Sequence, residues 1–185
     1  YLQSSVNGFI VACTVMVISF SISNAFFLSS RILEYLYAKD FFQNIREITA
    51  PMFQKRECVL QLEIESAYLK VEFDLMKTLI LNLLDNAVKA NATEIRIRGS
   101  FSDGKYAVRI IDNGIGIKEE ELNRIVEAFY VVDKSRSRAQ HGVGLGLALV
   151  EKIAQIHGTT LEIESVFGEG TTVTLYLDME EEEEG

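Results

Sequence analysis

The segment Asp74–Ala90 reads DLMKTLILNLLDNAVKA. Its apolar residues recur at intervals of three and four, the period of a helix with one buried face. With Asn82 at zero and about 100° per residue, Met76, Leu79, Ile80, Leu83, Leu84 and Ala87 cover an arc from about 60° to about 200°. Asn86 then falls at about 40°, Lys89 at about −20° and Asp85 at about −60°. One stripe is core, and its neighbour presents two carboxamides and an ammonium group. Two Asn four residues apart are poor helix formers. Carboxamide oxygens can, however, coordinate Mg²⁺ without adding charge, and a nearby Lys can neutralise phosphate oxygens. A solvated helix edge explains this helix alone equally well.

On either side the chain alternates helix and strand signals. Asp40–Lys55 reads as a helix, interrupted or ended near Pro51, the single proline. Val59–Glu65 alternates apolar and polar residues as a half-buried strand does, and Leu69–Phe73 reads as a short second strand. Asp74 is placed to cap the central helix. Glu94–Gly99 and Lys105–Ile111 alternate again, with Asp103-Gly104 as a hairpin turn between them. Lys118–Ala128 and Gly144–His157 read as helices, the latter stopped by Gly158 with His157 as an imidazolium suited to the helix dipole. Leu161–Ser165 and Thr171–Leu177 are strands joined by the turn Gly168-Glu169-Gly170. The expected architecture is a two-layer α/β sandwich, a mixed and mostly antiparallel sheet packed on helices.

The 185 residues carry a net charge of −9, and Asp178 with Glu180–Glu184 supplies six of those negatives. There is no cationic excess for a broad nucleic-acid grip. Cys13 and Cys58 lie far apart, which excludes a disulfide framework and a structural zinc site. Residues 1–30 contain no Asp, Glu, Lys or Arg. Within them Gly8–Leu28 would span about 31 Å as a helix, matching the roughly 30 Å hydrocarbon core of a bilayer. Arg31, Lys39 and Arg46 follow it, which would place the remainder in the cytoplasm. A helix buried against a partner is the bland alternative, and a cleaved signal peptide lacks its basic start. The chain opens on Tyr1 rather than Met, as a piece of a longer protein would. The expected division is therefore residues 1–40 as a hydrophobic segment, a membrane anchor or the remnant of a dimerisation region. Residues 41–178 form the α/β domain, and 179–185 an acidic tail.

Two glycine runs flank the second half of the domain. Asp112-Asn113-Gly114-Ile115-Gly116-Ile117 follows a strand directly, so a carboxylate stands where the backbone can turn sharply and approach a flat ligand. That carboxylate can accept a hydrogen bond from an exocyclic amine such as adenine's. Gly142-Val143-Gly144-Leu145-Gly146-Leu147-Ala148 opens a helix, and free N–H groups there can bind an anion. No Lys-Ser/Thr follows, so it is not a P-loop, and no acidic ribose ligand follows in a βαβ unit, so it is not a dinucleotide motif. Between the runs lie Phe129-Tyr130 and the cations Lys134, Arg136 and Arg138, arranged as a phosphate-covering loop would be.

In order, these runs resemble the ATP-binding domain of sensor histidine kinases, a branch of the gyrase, chaperone, kinase and mismatch-repair ATPase superfamily. The matching pieces are N82-L-L-D-N86-A-V-K89, D112-N-G-I-G-I117, E127-A-F-Y130, G142-V-G-L-G-L-A148 and G168-E-G-T171, spread over roughly residues 41–178. The resemblance implies the Bergerat-type ATP-binding fold. It also implies a nucleotide site of Asn82, Asp85, Asn86, Lys89, Asp112, Gly114, Gly116, Ile117, Phe129, Tyr130, Gly142, Val143, Gly144, Leu145, Gly146, Leu147 and Thr171. In that reading Asn86 binds Mg²⁺, Asn82 helps position metal and phosphates, and Lys89 touches the phosphates. Asp112 bonds the adenine amine, Gly114 and Gly116 floor the base pocket, and Gly142, Gly144 and Gly146 cradle phosphates.

Hydrolytic members of the superfamily usually carry Glu where Asn82 stands. Asn is a very poor base, so transfer to a separate acceptor is favoured over hydrolysis. The resemblance implies an acceptor His on a dimerising helix hairpin, a homodimer in the full protein, and a response regulator as onward partner. Only His141 and His157 are present, each followed by Gly rather than by an acidic residue, so the acceptor is missing here or acts in trans. Ala90 replaces a frequent aromatic, and Val131 replaces a frequent Arg, for which Lys134, Arg136 or Arg138 would substitute. The expectation is a protein histidine kinase using ATP and Mg²⁺, with Asn82, Lys89 and Arg136 as its catalytic set. The alternative is a degenerate nucleotide-binding module acting through protein contacts, and a serine-directed kinase of the anti-sigma type is a weaker rival.

Overall fold

The computed structural model describes residues 33–122 and 146–179. The expected apolar span 8–28 and the acidic end of the tail lie outside the described residues, and no described helix is long and apolar enough to cross a membrane. The described elements belong to a compact unit beginning at Glu34. In chain order they are β1 (Glu34–Tyr37), α1 (Ala38–Arg56), β2 (Val59–Ile64), β3 (Tyr68–Val71), α2 (Phe73–Lys89), β4 (Glu94–Ser102) and β5 (Lys105–Asp112). Then come α3 (Glu119–Leu122), α4 (Gly146–Ile156), β6 (Glu162–Val166) and β7 (Gly170–Leu177).

Five strands form one sheet in the order β2-β4-β5-β7-β6. Only β2 and β4 run parallel; the remaining pairs are antiparallel. The sheet is therefore mixed and mostly antiparallel, with its helices on one face. Residues at period 2 point inward: Tyr106, Val108 and Ile110 of β5 and Val173, Leu175 and Leu177 of β7 are buried. The opposite face is polar, and there Arg98 pairs with Glu63 at 2.7 Å and Arg96 with Glu94 at 3.0 Å. Such one-sided burial is what an antiparallel sheet tolerates and an all-parallel one rarely does. β1 and β3 form a separate two-stranded ladder, and β1 had no expected counterpart.

Three boundaries differ from expectation for identifiable local reasons. Helix α1 continues through Pro51 to Arg56. Pro51 is exposed, so the hydrogen bond it cannot make lies on the solvent side, while Phe53 extends the buried stripe. The N-cap of α2 is Glu72 rather than Asp74; its carboxylate accepts from the Leu75 N–H at 2.6 Å, and Asp74 sits in the first turn. Strand β4 runs past Gly99 to Ser102 because the Tyr106 ring lies across the bare glycine, with the Tyr106 hydroxyl donating to the Glu65 carbonyl at 2.6 Å. The hairpin closes through Asp103 (φ 49°) and Gly104 (φ 76°), both in the left-handed region as the tight turn requires. Of the expected helix 118–128, only Glu119–Leu122 lies within the described residues.

Candidate nucleotide site

Helix α2 buries Met76, Leu79, Ile80, Leu83, Leu84, Ala87 and Val88, each worth roughly 1.5–3 kcal/mol for the larger side chains. That anchoring fixes which way the neighbouring stripe faces. Asn82 donates its Nδ2 to the Thr78 carbonyl at 2.8 Å, which leaves Oδ1 without a hydrogen-bond donor among the described residues. A Cβ placed on Gly146 would lie 3.3 Å from Asn82 Oδ1 and 3.6 Å from Asn86 Oδ1. Two carboxamide oxygens therefore border the start of α4, where a side chain on residue 146 would crowd Asn82 and touch Asn86. Hard oxygen donors of this kind suit Mg²⁺, which keeps its other positions for water and phosphate. The donor set fits that ion; among the described residues no cluster of three His, Cys, Asp or Glu forms a metal cage. One turn on, Lys89 pairs with Asp85 at 2.6 Å, both half-exposed. An exposed pair like this is worth roughly 0–1 kcal/mol and exchanges readily.

The C-terminus of α2 joins this stripe to the first glycine run. Asn91 adopts φ 60°, its N–H bonds to the Val88 carbonyl at 3.0 Å, and the Ala92 N–H reaches the Ala87 carbonyl at 3.1 Å. This is the Schellman closure. The Ala90 carbonyl accepts from the Ile115 N–H at 2.9 Å. Gly114 is pressed against Ala90, where a Cβ would lie 2.8 Å from that carbonyl oxygen. From Asn82 to Ala90 the helix rises about 12 Å, so a ligand touching both ends must be about that long.

Asp112 ends β5 on the inward face. Its Oδ1 accepts from the Gly114 N–H at 2.8 Å. Burial pushes its carboxyl above the usual aspartate range, against the lowering effect of the Gly114 and Thr171 backbone N–H donors. The same burial raises the thiol of Cys58, to which the Asp112 carboxylate adds. Asp112 stands opposite Thr171 on β7, and Thr171 opposite Ser165 on β6. The β6–β7 turn clasps the glycine run: the Gly168 N–H donates to the Ile115 carbonyl at 2.8 Å and the Ile117 N–H to Ser165 Oγ at 2.8 Å. Gly116 (φ 65°) has no room for a Cβ, which would strike the Val166 carbonyl.

Asn82, Asn86 and Gly146 thus converge, Leu147 follows in the first turn of α4, and Asp85 and Lys89 form a pair beside them. Asp112, Gly114, Gly116, Ile117 and Thr171 converge around the two turns. Phe129, Tyr130, Arg136, Gly142, Val143, Gly144 and Leu145 lie outside the described residues. Two contributors had no expected role. Asn113 ties its carboxamide oxygen to the N–H groups of Thr93 (2.9 Å) and Glu94 (3.0 Å). Ser165 was readable only as a hydroxyl at an inward strand position. His157 corrects an expectation: it is 8% exposed, with Nε2 accepting from the Glu72 N–H at 3.0 Å and Nδ1 lying 2.8 Å from the Ile153 carbonyl. A backbone N–H only donates and a carbonyl only accepts, so the ring is the neutral Nδ1–H tautomer rather than an imidazolium.

Comparison with known proteins bears on the family and the fold. The family described as histidine kinase-, DNA gyrase B-, and HSP90-like ATPases matches residues 72–181. The sensor histidine kinase YkoH of Bacillus subtilis is 36% identical over 121 residues, 65% of this chain and 27% of YkoH. The signal transduction histidine-protein kinase ArlS of Staphylococcus aureus is 42% identical over 96 residues, 51% of this chain and 21% of ArlS. The matched part thus spans about a quarter of those relatives. The structure of the mycobacterial sensor histidine kinase MprB superposes with a TM-score of 0.68 at 21% identity, covering 80% of this chain and 98% of that one, a likeness of fold.

Proposed function

Because the chain belongs to the family of histidine kinase-, DNA gyrase B- and HSP90-like ATPases, we propose that it carries the ATP-binding catalytic domain of a two-component sensor histidine kinase. In this reading it transfers the γ-phosphoryl group of Mg-ATP to a histidine outside the chain. The observation that carries the reading is that the Asn82 and Asn86 carboxamides both border the start of α4, with about 12 Å of helix rise between Asn82 and the Ala90–Gly114 contact. That separation suits a ligand with a base at one end and phosphates at the other.

Asp112 would accept from the exocyclic amine of the base, and the Gly114 turn would lie along the ring. Asn86, with Asn82, would hold Mg²⁺ through carboxamide oxygens. The ion would neutralise charge on the phosphate oxygens, which is much of what phosphoryl transfer needs. Lys89 would exchange its Asp85 partner for a phosphate oxygen, and α4 would direct its free N–H groups at the same anion. Asn82 cannot deprotonate water, so the reading favours transfer over hydrolysis. His157 is doubly bonded and buried, which supports an acceptor elsewhere, on a dimerising hairpin in a full-length homodimer. A response regulator would be the onward partner, and the cations after the uncharged run 8–28 support a cytoplasmic domain on a membrane-attached protein.

Isothermal titration tests the binding step. Mg-ATP is to bind at millimolar concentration or tighter, and Asn86→Ala is to abolish the dependence on Mg²⁺. A chain that fails to bind Mg-ATP, or an Asn86→Ala variant indistinguishable from the parent, refutes the site. Incubation with labelled ATP and a separately made acceptor hairpin tests transfer; an unlabelled hairpin refutes it.

A further inference from the structure

The inward row Asp112–Thr171–Ser165 permits a count of hydrogens. Ser165 has one hydroxyl hydrogen and two lone pairs. The Ile117 N–H, 2.8 Å away, can only donate and occupies one lone pair. The Gly170 carbonyl, also at 2.8 Å, can only accept and takes the hydrogen. Thr171 Oγ1 lies 2.9 Å from Ser165 Oγ, so the Thr171 hydroxyl must be the donor of that bond. Its own hydrogen is then committed to Ser165, and toward anything else Thr171 Oγ1 is an acceptor. Directly opposite on β5 stands Asp112, acceptor-only when ionised. Two acceptors thus stand on adjacent strands, about 5 Å apart at Cβ.

We propose that Ser165 is a positioning residue for base selectivity: by holding the Thr171 hydroxyl as an acceptor beside Asp112, it makes the site choose a base carrying an exocyclic amine over one carrying a carbonyl there. An amine offers two N–H donors and satisfies both acceptors. A carbonyl brings neither a donor and sets its own oxygen against two acceptor oxygens, which is costly. Without the Ser165 hydroxyl, Thr171 is free to turn its hydrogen toward the ligand and to welcome a carbonyl. The proposal rests on the nucleotide reading above and adds to it the group that sets the polarity of the pocket.

The test compares Mg-ATP with Mg-ITP, which carries a carbonyl in place of the amine and an N–H in place of the neighbouring ring acceptor, by titration calorimetry on the full chain. The parent is to prefer ATP. Ser165→Ala is to lower the ATP-to-ITP preference by about tenfold, the size of one net hydrogen bond, and Ser165→Thr, which keeps the hydroxyl, is to restore it. Thr171→Val preserves side-chain shape and leaves Ser165 its bonds to Ile117 and Gly170. It is to lower the preference as well, and adding Ser165→Ala to it is to lower the preference no further. Equal weakening of both nucleotides in Ser165→Ala, with the preference unchanged, marks a merely structural role and overturns the proposal, as does an unchanged preference in Thr171→Val. A parent that binds neither nucleotide overturns the nucleotide reading and this proposal together; a parent that binds both, with a preference no variant moves, overturns this proposal alone.

Discussion

Gly168 and Gly170 lie two residues apart in the β6–β7 turn and face opposite situations. Gly168 has φ +93° and open space around the position of a Cβ. Gly170 has φ +138°, and a Cβ there would strike the Asp112 carbonyl oxygen and lie 2.9 Å from its carbon and 3.0 Å from Asn113 Cα. Each Ala variant pays the backbone strain of a sparsely populated conformation, of order 1–3 kcal/mol. Only Gly170→Ala adds a clash, and its partners are backbone atoms that no side-chain rotation can move aside, at roughly 1–3 kcal/mol. For a chain of this size each kcal/mol lowers the melting temperature by about 2–4 °C. Gly170→Ala is therefore to melt about 2–12 °C below Gly168→Ala, followed by far-ultraviolet circular dichroism. It is also to lose Mg-ATP affinity, since the clash pushes β7 away from Asp112, whereas Gly168→Ala keeps it. Equal melting temperatures for the two variants would refute the close packing of β7 on the end of β5.

His157→Ala strands the Glu72 N–H and the Ile153 carbonyl and is to cost about 1–3 kcal/mol in thermal unfolding. His157→Gln, whose carboxamide has both a donor NH2 and an acceptor oxygen, is to recover part of that loss, and an unchanged melt for the Ala variant refutes the bridging role. Acid acts on Asp112 with opposite signs on two observables. Folding raises its pKa, so this group favours the fold at pH below the unfolded value, and that contribution disappears as pH rises through the folded value. Protonation turns one carboxylate oxygen into a donor and removes the charge, so acidification is to weaken Mg-ATP binding at pH above the 3.8 of an ordinary aspartate. Asp112→Asn is to lack that component, and identical pH profiles for parent and variant refute it.

The polar stripe of α2 was legible because period 3.6 separates it from a seven-residue buried face that nothing else explains. The strands β2, β4, β5 and β7 were legible because one side of the sheet meets water and alternation survives in the letters. Strand β1 was not, since EYLY is too short to show a period and its partner, β3, is a neighbour only in space. Pro51 misled because a proline's missing bond matters only where water cannot replace it. Asp112, Gly114 and Gly116 were visible as a motif, yet what holds them was not. The Ala90 carbonyl, Ser165 and Asn113 act through backbone partners 19 to 48 residues away, and no local pattern encodes such a contact. His157 was readable as a helix end, but its tautomer is set by Glu72, 85 residues earlier.

The lone parallel pairing, β2 with β4, makes α2 the overpass between two strands that lie side by side. A helix stitched in at both ends cannot slide by a turn without dragging β4 out of register, so positions 82 and 86 hold their stations whatever letters occupy them. Position 82 can then change from amide to carboxylate while the scaffold stays the same.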